Sequence, residues 1–341
     1  MKGLLIKFKN WIAKHTFWIL LFLCLNGVLF QVLSVFMDHQ NPNIPLYWLF
    51  SFDFIYLVYF NHDNFYFELA LTENSWRHVG YLSFMFYILF LIGLVQYKIS
   101  KLKETRLLAF CVSIIYMSTI ILFVYNIWRF FAIETIFIYW LINMIKLLLI
   151  GFITYTILKQ MYTNVPMQST EIKIWDDFPE FKFKRSRWWQ RLFHVLLDTF
   201  VLLLLFSNFI FVIPESAIVF LDNTFGDRYS GYVIFFLVST IFYMIYEGTL
   251  KSTPGKYLTD SKVVPLKNKP ISFETMLGRT LCRRIPFNAL SFLSPNGWHD
   301  FLSHTTVSKF DIQREKRYSI CNIVLLIIIL AIFAYSIIRD F

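Results

Sequence analysis

Asp198 lies inside an apolar run, residues 191–213, seven positions after Arg191 and four after His194. At a helical rise of about 1.5 Å per residue, its carboxyl would sit roughly 10 Å deeper than the Arg191 guanidinium, and two turns would place all three side chains on one face. An ionisable group in hydrocarbon is costly enough to face a protein interior or a watery cavity. One reading of Asp198 is therefore a carboxylate that takes a proton or a cation, reached past Arg191 and His194. The competing reading is a clamp in which Asp198 accepts hydrogen bonds or pairs with Arg279, Arg283 or Lys256, because buried ion pairs also fix structure without chemistry. Lys146 is a second charge inside an apolar run, with Asn143 on the same face. It can pair with Asp198 and join two halves of the chain, or it can snorkel or meet a backbone carbonyl. Glu247, at the end of a further apolar run, can belong to the same polar cluster as Asp198.

Other chemistries find less support. Thr253-Pro254-Gly255-Lys256 resembles part of a phosphate-binding loop, but Gly248 is seven positions before Gly255 and Tyr257 follows the lysine, so spacing and magnesium hydroxyl both fail. His299 and His304 with Asp300 do not define a metal site. Cys24, Cys111, Cys282 and Cys321 are scattered without CxxC spacing, which argues against a disulfide framework and a zinc site. The apolar runs hold no serine, histidine and acid set and no HExxH, so neither enzyme activity nor a cofactor is expected. The net charge of +10 comes without an RNA-binding or zinc-finger pattern, and nucleic acid is not an expected partner.

The elements that must position these residues follow from composition. Of 341 residues, 57% are hydrophobic and 20% aromatic against 16% charged, a mixture that needs lipid as its solvent. A span requires about 20 mostly apolar residues. Seven segments qualify: 17–37, 78–97, 107–126, 134–157, 191–213, 231–248 and 319–338. With the amino terminus in the cytoplasm, all lysines and arginines except Arg77, Arg129, Arg228, Arg339 and Lys146 fall in segments on the inner side, as the positive-inside rule requires. Residues 44–60 fall short of an eighth span because Pro45 and Asp53 interrupt them, and residues 38–77 then form an outer segment resting on the headgroups. The basic, apolar start of the chain is either the positive flank of the first helix or a stretch lying flat at the surface. These assignments give an all-α polytopic helix bundle. Residues 1–157 form a four-helix half, 158–184 a polar linker and 185–341 a three-helix half, with no internal repeat relating the halves.

The inner segment 249–318 has its own elements. Lys262 to Pro265, a turn with Asn268, and Pro270-Ile271 suggest a short β-hairpin. Ser272 can cap an amphipathic helix from Phe273 to Arg284 with Glu274 in its first turn. Phe273, Met276, Leu277, Thr280, Leu281 and Ile285 follow helical spacing, while Arg279 and Arg283 lie one turn apart on another flank, facing phosphates or a carboxylate partner.

Arg191, Asp198, Tyr246-Glu247, Thr253-Pro254-Gly255-Lys256, Val263-Val264, Arg279 through Pro286 and Gly297-Trp298-His299-Asp300 occur in an order that resembles the RDD family of bacterial membrane proteins, over about residues 185–310. The arginine and two aspartates for which the family is named correspond to Arg191, Asp198 and Asp300. His194 departs from the resemblance, standing where a small residue is common, and Asp260 falls near an expected glycine. The resemblance implies a multi-pass protein of the bacterial inner membrane. It also implies transport of an ion or small solute, with cation/proton exchange as the proposed type, through a polar site near Asp198. The partners expected are the bilayer, anionic headgroups and a monovalent cation or small solute, and oligomers are compatible with this. The alternative is a membrane scaffold or assembly partner whose charged residues only brace the bundle.

Overall fold

A computed structural model describes residues 2–36, 73–101, 103–132, 137–163, 186–210, 213–265, 271–283, 300, 302–310, 318–325, 327 and 331. The chain divides into two compact units, residues 1–157 with 210–212 and 314–341, and residues 158–209 with 213–313.

In the first unit, α1 (Lys2–Phe36) packs on α2 (Glu73–Ile99), which packs on α3 (Arg106–Ala132). The basic start is thus one helix with the apolar run, and Ile12 is buried. Small residues let these helices approach. A Cβ on Gly27 would lie 2.0 Å from the Tyr87 ring, and one on Gly93 would lie 3.0 Å from the Leu108 backbone nitrogen. The short turn between α2 and α3 is held by polar groups. Arg106 donates to Glu104 through Nε at 2.8 Å and Nη2 at 2.9 Å, and through Nη1 to Ser319 Oγ at 2.7 Å. Gln96 donates to Asn322 at 2.9 Å. Asn143 of α4 (Phe137–Thr163) donates to Asn126 of α3 at 2.9 Å.

The second unit begins with the last turn of α4. Residues 158–163, expected in the linker, continue that helix, and Tyr162 packs against the rings of Tyr257 at 5.3 Å and Phe310 at 4.9 Å. Next come α5 (Trp188–Ile210), α6 (Glu215–Phe225) and α7 (Asp227–Ile245), the last two joined at Gly226, whose φ of 77° needs a residue without Cβ. A π-helical turn, Tyr246–Leu250, prolongs α7, and a one-turn helix α8 (Pro254–Leu258) leads into β1 (Ser261–Pro265).

The partner of β1 comes from far along the chain. β1 pairs antiparallel with β2 (Thr305–Lys309), Val263 opposite Val307, while the turn expected at Asn268 and residue 270 of the expected second arm lie outside the described residues. The run Thr-Thr-Val suits a strand by its β-branching, but only tertiary packing brings it back to β1. Ser186 donates its N–H to Val307 O at 3.0 Å and thereby ties the start of α5 to this ladder. The expected helix after Ser272 is present as α9 (Phe273–Cys282), with Ser272 Oγ accepting from Thr275 N, and it packs on α7 and the π turn.

Five helices among the described residues are long and apolar enough to cross a membrane: Leu5–Leu29, Arg106–Ile127, Trp140–Tyr162, Trp188–Leu205 and Tyr229–Leu250, with Met85–Ile99 a shorter apolar helix. Their outward faces are apolar, with Phe22, Ile145, Leu196 and Ile241 exposed. The architecture is that of an all-α, multi-pass membrane protein. The expected near-miss at 44–60 and most of the expected span at 319–338 lie outside the described residues.

Candidate functional site

Three stretches of the second unit supply the polar residues: one face of α5, the segment from the π turn through α8, and α9 with the approach to β2. On α5, Arg191, His194 and Asp198 share a buried face, as their spacing predicts. Asp198 Oδ2 accepts from Thr253 Oγ1 at 2.7 Å, and Oδ1 accepts from the backbone N–H of Gly255 at 2.9 Å. His194 Nε2 is in hydrogen-bond contact with Thr259 Oγ1.

Gly255 is required by this approach. A Cβ there would lie 2.9 Å from His194 O and 3.0 Å from Asp198 Oδ1, so any side chain would push α8 off α5. Pro254 at the first position of α8 costs no hydrogen bond there, since that N–H has no helical partner. The turn sequence Thr-Pro-Gly-Lys thus places two neutral donors on one carboxylate. Gly255→Ala is expected to cost about 1–3 kcal/mol through overpacking and the weakened N–H contact, seen as a lower thermal midpoint of the purified protein.

Glu247 sits in the π turn, whose extra residue rotates both Tyr246 and Glu247 into the interior. Its carboxylate receives Lys256 Nζ, Arg279 Nε at 3.0 Å and Arg283 Nη2. Burial pushes the Lys256 ammonium below the ordinary lysine range, although Glu247 beside it opposes that shift. Burial likewise works against the Arg283 charge, but there Glu247 prevails and holds it above its usual value. Arg283 also lies over the Tyr243 ring, 4.1 Å from its centroid.

Arg279 is fully buried and joins two carboxylates: its Nη1 contacts Asp300 Oδ1 and Thr305 Oγ1 while its Nε serves Glu247. Arg191 Nη1 faces the other oxygen of Asp300 at 3.6 Å. The arginines of α9 therefore face carboxylates, one of the two alternatives open in the sequence. Its apolar flank is left outward, with Phe273 71% and Leu281 42% exposed. Such a flank is the one that an interfacial helix would turn to lipid.

Of the expected site residues, the structure brings Arg191, Asp198, Glu247, Thr253, Gly255, Lys256, Arg279, Arg283 and Asp300 together in this unit. Neither Arg191, Arg279 nor Lys256 is the direct partner of Asp198; its oxygens are taken by Thr253 and Gly255. Lys146 lies half-buried on α4 in the other unit. His299 lies outside the described residues. Thr259 and Thr305 complete the network and carry no sequence signal, since a threonine in a turn or at a strand start is commonplace. Asp260 adopts a left-handed φ of 51°, which explains the glycine expected there; aspartate tolerates that region better than most residues. Among the described residues no three His, Cys, Asp or Glu side chains converge as metal ligands would.

Residues 185–340 match the RDD family, a longer stretch than the motifs alone delimit, while the amino-terminal half has no family match. No curated protein and no solved structure matches the chain.

Proposed function

We propose that residues 185–340, as an RDD-family region, form a unit of the bacterial inner membrane that moves an ion or small solute by a cation/proton exchange type of mechanism. Asp198 is the exchanging carboxylate, and the basic segments face the cytoplasm. The observation that carries this reading is the difference between Asp198 and its neighbours. Glu247 and Asp300 are committed to ion pairs with arginines, whereas Asp198 is held by neutral donors, a hydroxyl and a backbone N–H. A carboxylate fixed by guanidinium keeps its charge and its partner. One held by a hydroxyl and an amide can exchange those partners for a proton or a monovalent cation, and α8, which carries both donors, is the element such an exchange would move.

Purified full-length protein in liposomes is expected to support cation flux driven by a pH gradient. Asp198→Asn, nearly isosteric, should abolish that flux while leaving folding intact. Flux unchanged in Asp198→Asn overturns the assignment. The second reading is a scaffold whose basic segment binds anionic lipid or another protein, favoured by the ion pairing of Glu247 and Asp300. It predicts no flux from folded wild-type protein with any monovalent cation.

A further inference from the structure

A groove of about 420 Å³ opens between the end of α7 with its π turn and the start of α9. Its volume falls within the roughly 300–1,000 Å³ of small-molecule sites. Met244, Ile245 and Gly248 line it from the α7 side, Phe273 and Met276 from α9, and Lys251 supplies its one charged side chain among the described residues. Leu237, Ile241 and Ile245 recur at intervals of four and so share a face of α7, and Leu237 and Ile241 are exposed. An outward apolar face of the helix therefore runs directly into the groove.

Positive charge gathers at the same place. The carbonyl of Lys251 accepts the N–H of Val263 at 2.8 Å, which sets Lys251 beside Lys262 of β1. Burial lowers both ammoniums below the ordinary lysine range, and Lys262 is lowered further by the charges of Lys251 and Lys159. Lys251 Nζ donates to the carbonyl of Gly248 at 3.1 Å. Glu247, whose charge acts on Lys251, is already engaged by Lys256, Arg279 and Arg283. The amino end of α9, where Ser272 and Phe273 line the groove, adds the partial positive charge of a helix start.

Crowded cations beside an apolar groove complement an amphiphile with a negative head. A soluble anion would leave the apolar walls uncovered, and a neutral headgroup would leave the lysines uncompensated. We infer that this groove holds one acyl chain of an anionic phospholipid whose phosphate meets Lys251 and Lys262. The inference rests on the membrane setting of this unit and requires no transport, so it can fail while cation exchange stands, and the reverse.

Full-length protein in detergent should be equilibrated with equal amounts of phosphatidylglycerol and phosphatidylcholine, exchanged into lipid-free detergent and read by native mass spectrometry. Phosphatidylglycerol is expected to remain bound and phosphatidylcholine to be lost. Lys251→Gln combined with Lys262→Gln should weaken phosphatidylglycerol binding roughly ten- to thirtyfold, since each lysine near an anionic headgroup contributes about one tenfold step or slightly less. A Cβ on Gly248 meets nothing within 4 Å, so Gly248→Leu fills the groove without displacing a neighbour. That variant should lose the retained lipid while its lipid-free thermal midpoint is not lowered; if it fails to fold, the lysine variant decides alone. Lys103→Gln, an exposed basic residue of the other unit, should bind as wild type does. Equal retention of the two lipids overturns the inference, as does undiminished phosphatidylglycerol in folded Gly248→Leu or in the lysine variant. Wild type that retains neither lipid overturns it too, and would mean that protein covers the groove.

Discussion

Replacing Glu247 with glutamine is expected to leave little folded protein after detergent extraction. The carboxylate is fully buried and receives Lys256, Arg279 and Arg283. Glutamine keeps the volume and one acceptor but removes the charge paired with Lys256 and Arg283 and one of the two paired with Arg279. Removing one partner of a buried ion pair costs about 3–5 kcal/mol. With Lys256 and Arg283 stranded and Arg279 left with Asp300 alone, the upper part of that range applies, against a total stability of roughly 5–15 kcal/mol for a typical domain. Size-exclusion chromatography and thermal melts of the variant read the outcome. A monodisperse peak with a midpoint close to wild type would show that Glu247 is not the hub of the network.

Asp300→Asn is the second large effect. It strips compensation from Arg279 on one oxygen and Arg191 on the other, in a cluster already rich in positive charge, and a loss of about 3–5 kcal/mol is expected. Removing a cation that the substitution strands should relieve part of the loss. Asp300→Asn combined with Arg191→Gln restores the original net charge and should recover part of the lost stability, so that the double variant melts above Asp300→Asn alone. Strict additivity of the two changes would mean that Arg191 and Asp300 do not share an energetic network.

Periodicity made the α5 face legible: Arg191, His194 and Asp198 lie where 3.6 residues per turn places them, and burial follows from their apolar surroundings. The same holds for Ser272 as a cap and for Arg279 and Arg283 on one flank of α9. Their common target was not legible. Glu247 faces inward because a π turn inserts an extra residue, and hydropathy contains no mark of that insertion. Nor does local sequence show that β1 pairs with a strand some forty positions later; the nearby Asn268 and Pro270 are a stronger short-range signal than any distant one. Hydrophobic spacing on α9 is ambiguous in a membrane protein for a related reason. Apolar side chains are stable facing lipid, so the buried flank is the one whose arginines find carboxylates.

The role of the Thr-Pro-Gly-Lys turn likewise needed the structure. Its residues fail as a nucleotide loop, yet they deliver a hydroxyl and an N–H to Asp198 and an ammonium to Glu247. The tightest constraint is the glycine, fixed by the carbonyl of His194 and the carboxylate it serves.

The most direct test of the account is whether the Asp198 carboxylate changes its protonation when a cation binds. Difference infrared spectroscopy of the reconstituted protein, recorded on adding a monovalent cation at constant pH, reads this as a carboxylic C=O band that is lost as a carboxylate band appears. The account predicts that signal in wild type and its disappearance in folded Asp198→Asn. A wild-type protein that moves cations with no such carboxyl signal, or with one that persists in Asp198→Asn, would contradict it.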